Sequence, residues 1–214
     1  MMLKAERIAD LLRQGGSDPL CITPQPELPT LEESGAASVD LRLGTWFVSL
    51  RQARMACWST DEQAGTAQFS RTQYVRFGSE FFLHPGAFVL GVTLEWLRLP
   101  KDLAAYVIGK SSWGRRGLII ATATGVHPGF KGCLTLELSN VGEIPIAIKP
   151  GMTICQLFIH NVEGSRTDHI DKSRYVGLRR PVVGGIRLDP IAQKLAEAYG
   201  GGSWNNPTGI AKTT

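Results

Sequence analysis

At 214 residues, 43% hydrophobic and 20% charged, the chain is long enough for one sizeable core. No apolar run could span a bilayer, and Lys4, Glu6, Arg7 and Asp10 interrupt the N-terminus where a signal peptide would be continuously apolar, so a cytoplasmic protein without membrane attachment is expected. A formal net charge of +4 fits a phosphate-bearing small ligand as well as nucleic acid, but no Lys/Arg block demands the latter and no nucleic-acid partner is expected.

Leu3, Ile8, Leu11 and Leu12 recur at helical spacing before Gly15-Gly16, which predicts a short N-terminal helix. A Pro-rich connection, "CITPQPELPTLEESG", follows. From Ser38 the texture becomes strand-like: "SVDLRLGTWFVSL", "TQYVRFGSEFFLHPG", "AFVLGVTLEWLRLP", "LAAYVIG", "CLTLELSN", "IPIAIKPG" and "TICQLFIHNV" are β-rich runs punctuated by Gly, Pro and Asn. Pro85-Gly86 and Pro150-Gly151 each sit between two such runs, as at the centre of a type II turn. Residues 52–70 are small and polar and read as a long surface loop.

Beyond Val162 the chain turns polar and basic. A last helix is signalled by Asp189 as N-cap, Pro190 at N1, a face of Ile191, Leu195, Ala198 and Tyr199, and Gly200 as stop. The expected division is a main domain over 1–188, with a C-terminal helix and tail over 189–214. Many short strands without alternating helices point to an all-β barrel or jelly-roll core.

The most suggestive stretch is "VIGKSSWGRRG" at 107–117. A P-loop needs a glycine separated from its Gly-Lys-Ser/Thr by four residues, so that the backbone can wrap phosphates. Here that position is Ala104, inside an apparent strand, so the stretch is not a P-loop. Its hydroxyls, its lysine and the adjacent Arg115 and Arg116 would still suit a phosphate or a developing oxyanion. On spacing alone a solvated turn is the simpler reading.

Cys21, Cys57, Cys133 and Cys155 form no Cys-x-x-Cys and have no histidine at zinc-ligand spacing, so no metal site is predicted. Cys133 and Cys155 lie in apolar runs and read as small core residues. Glu137 sits between Leu136 and Leu138 in "LTLELSN". If the leucines face the core, alternation turns the carboxyl to the opposite face. From pattern alone it is a solvent-facing strand glutamate.

Taken together, "ASVDLRLG", "GKSSWGRRG", "ATATGVHPGFKG", "LTLELSN" and "PGM" resemble, in order, the motifs of the dCTP deaminase/dUTP diphosphatase family. The deaminase branch has V-D-x-R-L-G, G-R-S-S-x-x-R-x-G, T-A-x-x-I-D-P-G-[FW]-x-G, T-L-E-[LF]-x-N, P-G-M and a C-terminal K-Y-x-x-Q. The resemblance runs from about Ser38 to Leu178. It implies a dUTPase-like all-β fold, a distorted jelly roll or β-clip barrel with short terminal helices. It also implies a homotrimer with active sites between subunits, and a nucleoside triphosphate partner accompanied by magnesium. The reaction implied is hydrolytic deamination of dCTP to dUTP without zinc. A diphosphatase of the same fold, or a catalytically reduced nucleotide-binding member, are the alternatives.

Carried over by position, the resemblance implies Glu137 as general acid/base, with Ser111 and Arg115 placing water and stabilising charge. Lys110, Ser112 and Arg174 fall at phosphate positions, with Tyr175 beside Arg174. Ala123, Thr124 and Gly125 fall where the backbone reads the cytosine edge, and Phe130 where an aromatic packs on the sugar. Trp113 and Arg116 read as structural. Three departures from the pattern bear on the chemistry. Lys110 replaces arginine and so loses the bidentate fork. His127 stands where the family has the aspartate that contacts the 3′-hydroxyl and, in diphosphatases, helps activate water. Leu178 replaces the lid glutamine. Loss of that aspartate predicts that dUTP accumulates without further cleavage.

Overall fold

The strand-forming segments alternate buried and half-exposed residues, and that alternation decides which face of each strand meets the core. A computed structural model describes residues 1–50, 69–120, 125–164, 177–184 and 190–198. The chain groups into two units: Met1–Leu50 with Arg71–Val182, and Arg51–Ser70 with Val183–Thr214.

The first unit opens with α1 (Ala5–Arg13), which buries Ala5, Ile8 and Ala9. The connection read as merely Pro-rich contains β1 (Cys21–Thr23) and a short helix, α2 (Leu28–Glu33), whose Pro29 occupies the first turn where its missing N–H is harmless. Arg13 of α1 is ion-paired with Glu32 of α2. "SVDLRLGTWFVSL" forms two strands, β2 (Val39–Arg42) and β3 (Trp46–Leu50). They part at Gly44, where a Cβ would lie 2.9 Å from a Val92 methyl and 3.0 Å from Val92 O.

The chain continues with β4 (Ser70–Tyr74), β5 (Phe81–Leu83), β6 (Phe88–Arg98), β7 (Leu103–Gly109), a one-turn helix α3 (Ser111–Gly114), β8 (Leu118–Ile120) and β9 (Gly125–Val126). Then come β10 (Lys131–Asn140), β11 (Ile146–Ile148) and β12 (Thr153–Asn161). Among the described residues these strands pair antiparallel. One sheet runs β4-β3-β6-β10-β8 with β1 also on β6; a second runs β2-β12-β7-β9; β11 and β5 form a two-stranded ribbon. The all-β expectation holds. Among the described residues the strands form open sheets and not a closed barrel.

Both anticipated Pro-Gly turns are type II. Gly86 has φ +72° with Ala87 N–H donating to His84 O at 3.0 Å; Gly151 has φ +88° with Met152 N–H donating to Lys149 O at 3.2 Å. Pro128-Gly129 makes a third, unanticipated one, with φ +75° and Phe130 N–H donating to His127 O at 3.2 Å.

The core is aliphatic, with Leu41, Leu43, Leu97, Leu136, Leu138 and Ile148 among its fully buried side chains. Register along β10 and β6 shifts between Cys133 and Thr135, where the buried Thr93 hydroxyl accepts Leu134 N–H at 2.9 Å and donates to Glu95 O at 2.9 Å. That side chain keeps the irregularity from leaving a buried amide unpaired.

Of the second unit, the helix predicted near the C-terminus is present as α4 (Pro190–Ala198), with Ile191 and Leu195 exposed. The long loop read over 52–70 lies almost wholly outside the described residues. No helix among the described residues is long and apolar enough to cross a membrane.

Candidate active site

Glu137 lies in the middle of β10, a strand flanked by β6 and β8. It stands opposite Leu90 of β6, while the next residue, Leu138, stands opposite Ile120 of β8. Leu136 and Leu138 are fully buried and Glu137 is half-buried, so the carboxyl is on the face away from the leucines, as alternation required.

The stretch "GKSS" is the exit of β7 into α3. Ser111 and Ser112 are exposed on its single turn, and Arg115 follows as the exposed C-cap. Successive amide bonds hold this turn: Arg115 N–H to Ser111 O at 3.0 Å, Arg116 N–H to Trp113 O at 2.9 Å and Gly117 N–H to Gly114 O at 3.0 Å. Trp113 and Arg116 each bond a backbone carbonyl. The Trp113 indole donates to Thr153 O at 3.0 Å, and Arg116 donates to Ser112 O at 2.9 Å while lying 5.7 Å from the Trp113 ring centre.

Lys110 is not a free cation. Its Nζ donates to Asp40 Oδ2 at 2.6 Å, and Gln156 Nε2 donates to Asp40 Oδ1 at 3.3 Å. This cluster joins "VDLRLG" to "GKSS" across strands far apart in sequence. Sequence reasoning quoted Asp40 within its motif but gave it no role, because nothing local signals its partner. Two residues on, Arg42 N–H donates to Glu95 Oε2 at 2.8 Å and Arg42 Nη1 to Glu95 Oε1 at 3.1 Å. Glu95 is sealed in the interior. Burial raises its pKa, and the Arg42 amide and guanidinium oppose that rise only in part.

Gly125 and His127 are exposed on either side of buried Val126, and Phe130 is half-buried against the core. Ala123, Thr124, Arg174 and Tyr175 lie outside the described residues. Leu178 is described. Its carbonyl accepts Cys133 N–H at 2.8 Å and the preceding Gly177 N–H donates to Lys131 O at 2.6 Å, so the chain here lies along β10.

A pocket of about 390 Å³ opens near the start of β10, lined by Thr23, Trp46, Val92, Trp96, Cys133 and Arg179 among others. None of the sequence-predicted residues lines it. Cys133 therefore faces this pocket, half-buried, and is not the core residue expected. Cys155 is a core residue, and burial pushes its thiol pKa up to about 12. Among the described residues no group of three or more His, Cys, Asp or Glu side chains converges.

Known proteins resemble this chain over most of its length. A family model described as dCTP deaminase-like matches residues 2–162. A "dCTP deaminase" of Natronomonas pharaonis is 43% identical over 152 residues, covering 70% of this chain and 76% of that protein. A "dCTP deaminase, dUMP-forming" of Dictyoglomus thermophilum is 40% identical over 157 residues, covering 72% and 80%. Among solved structures, a 2′-deoxycytidine 5′-triphosphate deaminase from Agrobacterium tumefaciens superposes with a TM-score of 0.55 at 24% identity. That match covers 74% of this chain and about half (47%) of the solved one, and it shows the fold. The chain belongs to the dCTP deaminase-like family of enzymes.

Proposed function

We propose that this protein deaminates the cytosine of dCTP, or of a close relative, by hydrolysis without zinc, and that the product is dUTP. The observation that carries the reading is Glu137: a half-buried carboxyl between two fully buried leucines, at the family's acid/base position. The Glu137 carboxylate takes a proton from water as the oxygen attacks C4, and delivers it to N3. It then takes the hydroxyl proton from the tetrahedral carbon and hands it to the amino group, so that the C4–N4 bond breaks and ammonia leaves. One carboxyl serves as base and then as acid. Ser111 and Arg115 place the water and stabilise developing charge, and Lys110, Ser112 and Arg174 bind phosphates.

Exposure of Ser111, Ser112 and Arg115 in the single chain supports an active site completed between subunits of a homotrimer. The sequence has no Cys-x-x-Cys and no histidine at zinc-ligand spacing, which supports zinc-free chemistry. Magnesium would arrive with the triphosphate.

Relatives named for dUMP make the product the discriminating measurement. His127 offers imidazole where hydrolysis of the triphosphate would use a carboxylate, which supports release of dUTP. Incubation with magnesium and dCTP should give dUTP and ammonia. Accumulation of dUMP and pyrophosphate without dUTP would reject that product. Glu137→Gln should lower ammonia release by about 10²-fold or more with nucleotide binding retained; turnover within a few-fold of wild type would remove Glu137 from its role.

A further inference from the structure

Asn140, the last residue of "LTLELSN", is fully buried, and none of the chemistry above uses it. Its amide is spent on the backbone. Nδ2 donates to Leu83 O at 2.9 Å and to Ile144 O at 2.9 Å, while Oδ1 accepts Gly142 N–H at 2.9 Å. Its main chain accepts Gly86 N–H at 2.8 Å and donates to Ala87 O at 3.2 Å. Both donors of the side chain are used, and aspartate, the same size, would lack them.

The amide bends residues 140–142 back against the turn that follows Arg115. Val141 N–H donates to Gly117 O at 2.9 Å. A Cβ on Gly117 would fall 2.7 Å from Gly142 N and 3.4 Å from Asn140 Oδ1, and Gly117 has φ +87°. Only glycine fits there. Beyond it, Leu118 stands opposite Asn140 in the β8–β10 register.

Asn140 is thus three residues from Glu137 on one strand, and its turn is packed on a residue two positions from Arg115. We propose that Asn140 is a positioning residue that locks the Arg115-bearing turn to the strand carrying Glu137. The inference rests on the proposed deamination for its catalytic consequence. Small displacements of such groups cost rate more than binding.

The test compares Asn140→Asp and Gly142→Ala with the control Gly78→Ala. A Cβ at Gly142 would press on Asn140 Oδ1 at 3.3 Å, whereas Gly78 has φ +82° and nothing within 4 Å. Two readings are taken: kcat and KM for dCTP per folded molecule, and amide exchange across residues 115–120. Both joint variants should lose about tenfold or more in kcat with KM within about threefold, and should exchange faster over 115–120. The control should lose melting temperature and keep kcat. Turnover per folded molecule within about twofold of wild type in Asn140→Asp would overturn the proposal; if that variant fails to fold, Gly142→Ala decides by the same criterion. Should wild-type protein release no ammonia from dCTP, the proposed function fails separately, and exchange alone judges the joint: unchanged protection over 115–120 overturns it and faster exchange upholds it.

Discussion

Asn140 and Glu95 are both sealed from water, at 0% and 1% exposure, yet they hold their parts of the fold in opposite ways. Asn140 is neutral, and every partner of its side chain is a backbone group: Leu83 O, Ile144 O and Gly142 N–H. Glu95 is a carboxyl whose partners are one backbone amide and the guanidinium of Arg42, a side chain 42% exposed. Backbone groups cannot be mutated away, so any residue without Asn140's amide leaves them stranded. A charged partner can be removed together with the charge it faces. The neutral joint should therefore be irreplaceable and the ionic one should be exchangeable.

The largest effect follows from Asn140→Ala. With two carbonyls and one N–H left unpaired, denaturant unfolding should show a loss of about 4 kcal/mol. Arg42→Met comes next. It leaves Glu95 buried without its cation, and a loss of about 3 kcal/mol is expected at neutral pH. The reverse order of these two losses would break the comparison.

A smaller effect is the pH dependence. Burial raises the Glu95 pKa above its unfolded value, so the folded state binds that proton more tightly. The corresponding stability is present below the ordinary carboxylate range and is lost as pH rises through the folded pKa. Wild-type stability minus that of Glu95→Gln should fall as pH is raised from about 4 upward, since the amide oxygen can still accept Arg42 N–H. Unfolding midpoints of the two proteins from acid to neutral pH check this, and a flat difference would exclude Glu95 as the titrating group. The smallest change is expected of the double variant Arg42→Met/Glu95→Gln, within about 1 kcal/mol of wild type at neutral pH. A loss as large as that of Arg42→Met alone would show that the ionic joint is as irreplaceable as the neutral one.

What could be read in the sequence was local. Alternation along "LTLELSN" placed Glu137 on the face it occupies, and two Pro-Gly pairs declared their turns because glycine at positive φ is a local demand. The third such pair, Pro128-Gly129, was absorbed into the motif resemblance and its turn went unread. The helix α2 was missed because Pro24, Pro26 and Pro29 dominate "TPQPELPT", although Pro29 is compatible with a first turn. The Lys110–Asp40 ion pair, the Arg42–Glu95 pair and the partners of Asn140 were illegible for another reason. Each ion pair, and the bond from Asn140 to Leu83 O, joins elements separated by dozens of residues, and no periodicity carries that information. Glu95 shows the limit most plainly: in "VTLEWLRLP" it alternates like any solvent-facing glutamate, and only the packing of β2 over β6 buries it.

The bonds of Gly177 and Leu178 to β10 have a consequence for solubility. Among the described residues β8 pairs with β10 at Leu138, Ser139 and Asn140, well away from the start of the strand at Lys131. Gly177 and Leu178 cover part of it by bonding Lys131 O and Cys133 N–H, and Arg180 lies 4.0 Å over the Trp46 ring nearby. Gly132, where a Cβ would come within 3.0 Å of Leu178 O, permits the close approach. An open ladder is a template for another chain, and natural sheets guard it. A chain ending before Gly177 would keep every strand described above and still expose that edge, and such chains would join one another side by side.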